Sequence, residues 1–226
     1  MEQNHECKFC NKSFHREKTL ATHMCVKKKR HMDIETTGSR LGFRTFQRFY
    51  ELTTRPKTPK TQQEFIDSPY YTEFAKFGNH LANLKPIYTE KYIEFVILGG
   101  VKLKDWTKDE IYDLFVVDVI KKEPPTSATE RTITEIVEWS TKNNTAFDKF
   151  FSDVSPNEGA YLIKTGRLSP WVLYLCASGE DLMKRFSADH SKMIGDVIDP
   201  GYWMQRFKKS AEDVEYIKTL LEQAGL

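Results

Sequence analysis

Apolar residues recur at intervals of three and four through most of the chain from residue 62 onward, which is the spacing of one face of an α-helix. The pattern is clearest in the segments DEIYDLFVVDVIKK, RTITEIVEWSTK and AEDVEYIKTLLEQ. Valine-rich pieces such as FVVDVI would also suit a strand, but segment length and the capping signals nearby favour a helix. We therefore predict that residues 62–226 form an all-α domain of about eight to ten short helices.

Hydroxyl residues and prolines mark the expected helix starts. A Ser or Thr followed three positions later by Glu is the capping box that begins many helices. The pairs of this kind are Thr107 with Glu110, Ser127 with Glu130, and Ser155 with Glu158. Proline is favoured in the first turn of a helix, because its missing N–H would be unpaired there in any case. The prolines that we place there are Pro69, Pro170 and Pro200.

The sequence of residues 32–61 predicts a basic helix followed by a linker. In residues 39–54, arginines recur at every fourth position and form one stripe on a helix; they are Arg40, Arg44 and Arg48. Gly38 and Gly42 each weaken a helix by about 1 kcal/mol, so we expect an irregular start. The segment TTRPKTPKTQQ, residues 53–63, contains two prolines and no apolar side chain, which favours a linker.

The first 31 residues, called the finger below, combine metal-ligand spacing with a small apolar core. Cys7 and Cys10 are two residues apart, as in a tight turn that directs two thiolates at one metal ion, and His23 follows. With Phe14 and Leu20, the pattern C-x2-C-x3-F-x5-L-x2-H resembles the two-cysteine, two-histidine zinc finger. This resemblance implies a ββα unit that binds Zn²⁺. A unit this short buries little apolar surface, so metal binding would supply its folding free energy.

The fourth zinc ligand departs from the finger pattern. The positions where the second histidine usually stands hold Lys27, Lys28 and Lys29, which cannot bind zinc. The candidates are Cys25 and His31. Cys25 lies about 200° around an ideal helix from His23 and requires the helix to unwind there, whereas His31 lies about 12 Å further along a continuous helix. We favour Cys25, so the predicted metal ligands are Cys7, Cys10, His23 and Cys25.

The distribution of charge indicates a polyanion partner. The net charge of the chain is only +2, but residues 1–60 hold 14 Lys and Arg against 6 Asp and Glu, and the remainder holds 20 against 26. In a zinc finger, helix positions −1, 3 and 6 face a DNA groove. These positions are Arg16, Thr19 and Thr22, with Lys18 beside them. Phosphate contacts are expected from Lys27, Lys28, Lys29 and Arg30 and from Arg40, Arg44 and Arg48.

The sequence gives little support for an active site, a second metal site, a disulfide framework or a membrane span. No phosphate-binding glycine loop is present, and the four acidic residues Glu180, Asp181, Asp196 and Asp199 are explained better as helix caps than as a metal site. Three of the four cysteines lie in the finger, which excludes a disulfide framework. Zinc thiolates need a reducing compartment, so we expect an intracellular protein. No apolar run is long enough for a membrane span, and we expect neither a membrane partner nor an enzyme.

The layout is also similar to small single-finger proteins of large tailed bacteriophages, through RFYEL, SPYY, SPWVLYLC and IDPGYWMQRF as well as the finger. This resemblance implies a host-cell cytoplasmic or virion-associated setting. Our first hypothesis is an accessory factor in phage DNA replication, transcription or packaging that binds DNA and recruits a protein partner through residues 62–226. The alternative is a structural or adaptor protein whose finger docks on another protein.

Overall fold

The computed structural model describes residues 4–226 and confirms the predicted mainly α fold with a small amino-terminal ββ element. In this range the chain forms fifteen α-helices, two 3₁₀ turns and one antiparallel pair of strands. It divides into two compact units, the first ending at Ile111 and the second beginning at Tyr112. The predicted boundaries at residues 31 and 61 stay predictions.

The first unit contains the strand pair and the helices up to the start of α7. The elements are β1 (His5–Glu6), β2 (Ser13–Phe14), α1 (Glu17–Thr22), α2 (Val26–Asp33), α3 (Thr37–Thr53), α4 (Gln62–Asp67), α5 (Tyr71–Leu84), α6 (Thr89–Leu98), a 3₁₀ turn (Leu103–Asp105) and the first three residues of α7 (Asp109–Lys122). The second unit contains the rest of α7 and the remaining elements. They are α8 (Pro125–Asn143), a 3₁₀ turn (Phe147–Lys149), α9 (Phe150–Asp153), α10 (Pro156–Lys164), α11 (Pro170–Leu175), α12 (Ala177–Lys184), α13 (Ala188–Ile194), α14 (Pro200–Lys209) and α15 (Ala211–Ala224).

The predicted count of helices was too low, because several helices are shorter than their apolar pattern indicated. Residues 62–226 form twelve α-helices, of which α9 spans only four residues. Ser155 caps α10 as predicted, and Pro170 and Pro200 begin α11 and α14. Ser127 is not a cap, because α8 already begins at Pro125, and Pro69 precedes α5 by two residues.

Three glycines allow α3 and α5 to cross with their backbones in contact. A Cβ atom on Gly78 of α5 would lie 2.0 Å from the carbonyl oxygen of Gly38 and 2.4 Å from the amide nitrogen of Gly42, both on α3. A Cβ atom on Gly42 would lie 2.7 Å from the carbonyl oxygen of Phe74. The expectation of an irregular helix start was therefore wrong: α3 is continuous from Thr37, because tertiary contact at both glycines outweighs their low helix propensity.

An aromatic core follows from this close approach. Phe46 of α3 and Phe74 and Phe77 of α5 are at least 98% buried, and edge-to-face contacts join Phe46 to Phe74 and both α5 phenylalanines to Trp106. The indole N–H of Trp106 donates to the carbonyl of Val101 at 2.8 Å. The core of the first unit is therefore built from one face of α3 and one face of α5, which leaves the arginines of α3 on other faces.

Tryptophan and phenylalanine side chains pack against one another in the second unit, whose buried core also contains many aliphatic side chains. Trp171 of α11 packs edge-to-face against Trp203 and Phe207 of α14. The indole N–H of Trp203 donates to the carbonyl of Val197, so its one polar group is satisfied inside the core. Asp199 caps α14 by accepting hydrogen bonds from the N–H groups of Gly201 and Tyr202, which accounts for this acidic residue without a metal.

We predict that Gly78→Ala destabilises the first unit by about 2 to 3 kcal/mol, because the added methyl group meets backbone atoms that cannot rotate away. Urea denaturation, with hydrogen exchange of α3 and α5 as the local readout, measures the effect. Gly201→Ala in the first turn of α14 is the matched control, since its Cβ would meet only the Asp199 carboxylate at 3.3 Å. Equal stability of the two variants would contradict the backbone contact.

Candidate metal centre

A short hairpin positions the first two cysteines. Residues His5 and Glu6 pair with Phe14 and Ser13, and the turn between the strands is closed by hydrogen bonds from the Cys7 N–H to the Lys12 carbonyl and from the Asn11 N–H to the Cys7 carbonyl. Asn11 adopts φ = 57°, a left-handed conformation that asparagine tolerates better than most residues. The turn therefore brings the side chains of Cys7 and Cys10 to the same side.

The chain leaves its helical path directly after the third predicted ligand. Helix α1 ends at Thr22, and His23 has extended backbone angles while its N–H still bonds to the Leu20 carbonyl. Cys25 is also extended and begins the next helix, α2, as its N-cap. This break after His23 is the condition under which Cys25 can reach a metal held by Cys7, Cys10 and His23.

The structure brings together the four predicted ligands Cys7, Cys10, His23 and Cys25. Their ligand atoms all lie within 4.8 Å of one another, and the Cys10 Sγ and His23 Nε2 atoms are 3.3 Å apart. In a tetrahedral zinc site, neighbouring ligand atoms lie about 3.5 to 3.8 Å apart. Three thiolates and an imidazole are also donors that zinc prefers. The group can hold a metal ion, and its composition and spacing fit zinc.

The alternative fourth ligand, His31, has a different environment. Its ring lies against the ring of Phe9, with centroids 5.0 Å apart, on the far part of α2. Within residues 4–226, the Cys7, Cys10, His23 and Cys25 cluster is the one group of three or more His, Cys, Asp or Glu side chains arranged to hold a metal. The acidic residues near Glu180 and Asp196 form no such group in this range.

The pKa values of the Cys7 and Cys10 thiols are shifted in opposite directions by their surroundings. Hydrogen bonding from the backbone N–H of Phe9 lowers the pKa of Cys7. At Cys10, the Lys12 N–H also favours the thiolate, but loss of solvent and the neighbouring Cys7 and Cys25 sulfur atoms outweigh it and raise the pKa. Several thiolates crowded together repel one another, so a cation among them stabilises the arrangement.

The groove-facing positions predicted on α1 are accessible. Arg16, which precedes the helix, and Lys18, Thr19 and Thr22 within it are all exposed. Thr22 donates its hydroxyl hydrogen to the carbonyls of Lys18 and Thr19, leaving the hydroxyl oxygen able to accept. The structure thus presents these four side chains to solvent beside the metal ligands.

The basic run at the start of α2 is divided among different contacts. Lys27 pairs with the Asp67 carboxylate at 2.7 Å, and the Lys28 ammonium donates to the His23 carbonyl at 3.1 Å. Arg30 donates to the Ile66 carbonyl at 2.7 Å. Lys29 is exposed and has no ion pair among residues 4–226. The four basic side chains therefore differ in how far they are already bound by groups of the same chain.

Each arginine of the predicted stripe on α3 lies beside a carboxylate. The pairs are Arg40 with Glu35 at 2.5 Å, Arg44 with Glu90 at 3.0 Å, and Arg48 with Glu51 at 2.7 Å and also with Glu94. Sequence reasoning missed the two partners on α6. Glu90 and Glu94 are four residues apart, the same spacing as Arg44 and Arg48, and this match was the signal that could have revealed them.

Comparison of the chain with protein-family models, with curated proteins and with solved structures gives no match. The bacteriophage setting therefore stays a prediction from sequence resemblance. None of the helices within residues 4–226 combines the length and apolar character needed to cross a membrane.

We predict that Cys25→Ala lowers zinc affinity far more than His31→Ala, because only Cys25 belongs to the cluster and a thiolate is a strong zinc ligand. Competition with a chromophoric chelator measures both variants and the wild-type protein, with metal content determined by elemental analysis. A larger loss in His31→Ala would show that the fourth ligand is His31.

Proposed function

We propose that this chain is a zinc-binding protein without catalytic activity that binds nucleic acid, with DNA as the expected partner, through its finger. The observation that carries the proposal is a group of exposed cations in the finger that have no carboxylate partner within residues 4–226: Arg16, Lys18 and Lys29. Exposed cations of this kind can exchange their counterions for phosphates at little cost. The positive balance of residues 1–60 adds a longer-range attraction.

The contribution of the arginine stripe is smaller in this proposal than that of the finger. A phosphate that binds Arg44 or Arg48 must displace or approach the carboxylates of Glu90 and Glu94. Those carboxylates repel the phosphate, so the gain from each contact is reduced. We therefore assign the main phosphate contacts to the finger. The arginines of the stripe form ion pairs within the chain, and those of Arg44 and Arg48 link α3 to α6.

Zinc is the metal we assign to the cluster. Thiolate ligands select soft or borderline metals, and a closed tetrahedral set of three cysteines and one histidine is typical of structural zinc. Such a site has no open coordination position for a substrate. The metal would thus stabilise the finger rather than carry out chemistry.

A second candidate function is protein docking by the finger. Three apolar side chains next to the metal ligands and on α2 are exposed by more than half: Met24, Val26 and Met32. Exposed apolar side chains such as these are available to contact an apolar surface on a protein partner. In this case the finger would bind a protein partner, and nucleic-acid binding would be weak throughout.

We predict that replacing Arg16, Lys18 and Lys29 together by Gln flattens the plot of log affinity against log salt concentration by about 2 to 3 units on duplex DNA, because each phosphate contact releases about 0.9 counterion. Fluorescence anisotropy with labelled single- and double-stranded DNA, over about 50 to 200 mM salt, measures the slope. Replacing Arg40, Arg44 and Arg48 by Gln should change it by about one unit or less, because those arginines are already paired.

The matched control replaces Lys142, Lys192 and Lys209 by Gln. These lysines are exposed, lie in the second unit and have no ion pair among the described residues, so the change in net charge is the same. An equal change of slope in the control would mean that net charge, and not the finger, determines binding. Absence of micromolar affinity of the wild-type protein for any nucleic acid at about 50 mM salt would overturn the proposal and favour docking.

A further inference from the structure

Helix α2 attaches the finger to the helical part of the first unit through Arg30. The guanidinium group donates to the carbonyl oxygens of Ile66 at 2.7 Å and Ser68 at 3.2 Å, which lie at the end of α4. The same group lies over the ring of Tyr71, 4.5 Å from its centroid. Carbonyls at the end of a helix have no partner within that helix, so Arg30 satisfies groups that would otherwise need water.

A second contact joins the same two helices. The Lys27 ammonium pairs with the Asp67 carboxylate at 2.7 Å, and this hydrogen bond is the main cause of the lowered pKa of Asp67. Lys27 and Arg30 are three residues apart and therefore lie on the same side of α2. One side of α2 is thus directed at α4 and the residues that follow it.

The beginning of α2 depends on a metal ligand. Cys25 is the N-cap of this helix, and its Sγ atom accepts a hydrogen bond from the Lys28 N–H at 3.3 Å. The Lys28 ammonium in turn donates to the carbonyl of His23, another predicted ligand. The position of the Cys25 sulfur therefore determines both the geometry of the cluster and the start of the helix.

Helix α2 has little stability of its own. It spans eight residues, none of which is buried, and isolated helices shorter than about 12 to 15 residues are marginal in water. Its sequence also contains four consecutive cations, Lys27 to Arg30, which repel one another. The helix is thus held at one end by the cluster and along its side by α4.

We propose that metal binding to the cluster and docking of α2 on α4 and Tyr71 are thermodynamically coupled, with Arg30 as the positioning residue that transmits the coupling. The proposal rests on the metal site proposed above but not on nucleic-acid binding. Metal bound at Cys25 fixes the start of α2 and orients Arg30 towards the Ile66 and Ser68 carbonyls. By reciprocity, loss of the Arg30 contacts must weaken metal binding by the same factor by which metal loss weakens docking.

The test compares Arg30→Met with Lys29→Met in the full-length protein. Both variants remove one positive charge next to the metal site, keep a long side chain and leave the ligands intact, but only Arg30 contacts α4 and Tyr71. Zinc affinity is measured by competition with a chromophoric chelator. We expect Arg30→Met to lower zinc affinity by at least about fivefold, the lower end of typical coupling, and Lys29→Met to change it by less than twofold.

Hydrogen exchange provides the second readout. In the wild-type protein, removal of zinc by a chelator should accelerate exchange at residues 66–71 as well as in the finger, while α8 to α15 stay protected. In Arg30→Met, exchange at residues 66–71 should already be fast with zinc bound. Asp67→Asn, which weakens the contact from the α4 side, should give a smaller change in the same direction.

The outcomes separate this coupling from the proposals on which it builds. Equal zinc affinity of the wild-type protein and Arg30→Met, with exchange at residues 66–71 insensitive to chelation, would overturn the coupling while leaving the metal site intact. Failure of the wild-type protein to bind zinc would overturn both. A loss of affinity shared equally by Lys29→Met would show a general effect of charge and would also overturn the specific role of Arg30.

Discussion

The backbone contact between α3 and α5 is the constraint on which the first unit depends. Gly38, Gly42 and Gly78 let the two helices approach so closely that no Cβ atom fits between them. This approach brings Phe46 against Phe74 and places Trp106 against both α5 phenylalanines. The same packing leaves the remaining faces of α3 for the ion pairs with α6. A larger residue at any of the three positions would separate the helices and loosen all of these contacts together.

Most of the candidate metal site could be predicted from the sequence, because its four side chains are close in the chain. The spacing of Cys7, Cys10 and His23 is a local feature of the sequence, and it indicates the hairpin that carries the two cysteines and the helix that precedes the histidine. The assignment of Cys25 required one further expectation, that the helix unwinds after His23, and the structure has this break. Helices could likewise be predicted from periodic apolar patterns, from the cap at Ser155 and from the first-turn prolines Pro170 and Pro200. Each of these signals depends only on residues that are close in the chain.

What the sequence did not reveal depends on contacts between residues distant in the chain. Gly38 and Gly42 indicated a weak helix when considered alone, and only their contact with Gly78 gives them a structural reason. The sequence did not show that the carboxylates of Glu90 and Glu94 on α6 lie beside Arg44 and Arg48. It also did not show the carbonyl partners of Arg30, which lie 36 and 38 residues away in the chain. The phosphate contacts expected of these arginines stay predictions. Local patterns report element type well and side-chain partners poorly.

If the finger binds duplex DNA as proposed, the early end of α1 at Thr22 limits how many base pairs it can contact. Six residues of helix extend about 9 Å, which corresponds to between two and three base-pair steps of about 3.4 Å. A site of that size recurs throughout any genome, so discrimination by one copy is small even when binding is firm. Selection of a particular locus would then depend on avidity: a tethered partner or a second copy that raises the local concentration of the finger at one place.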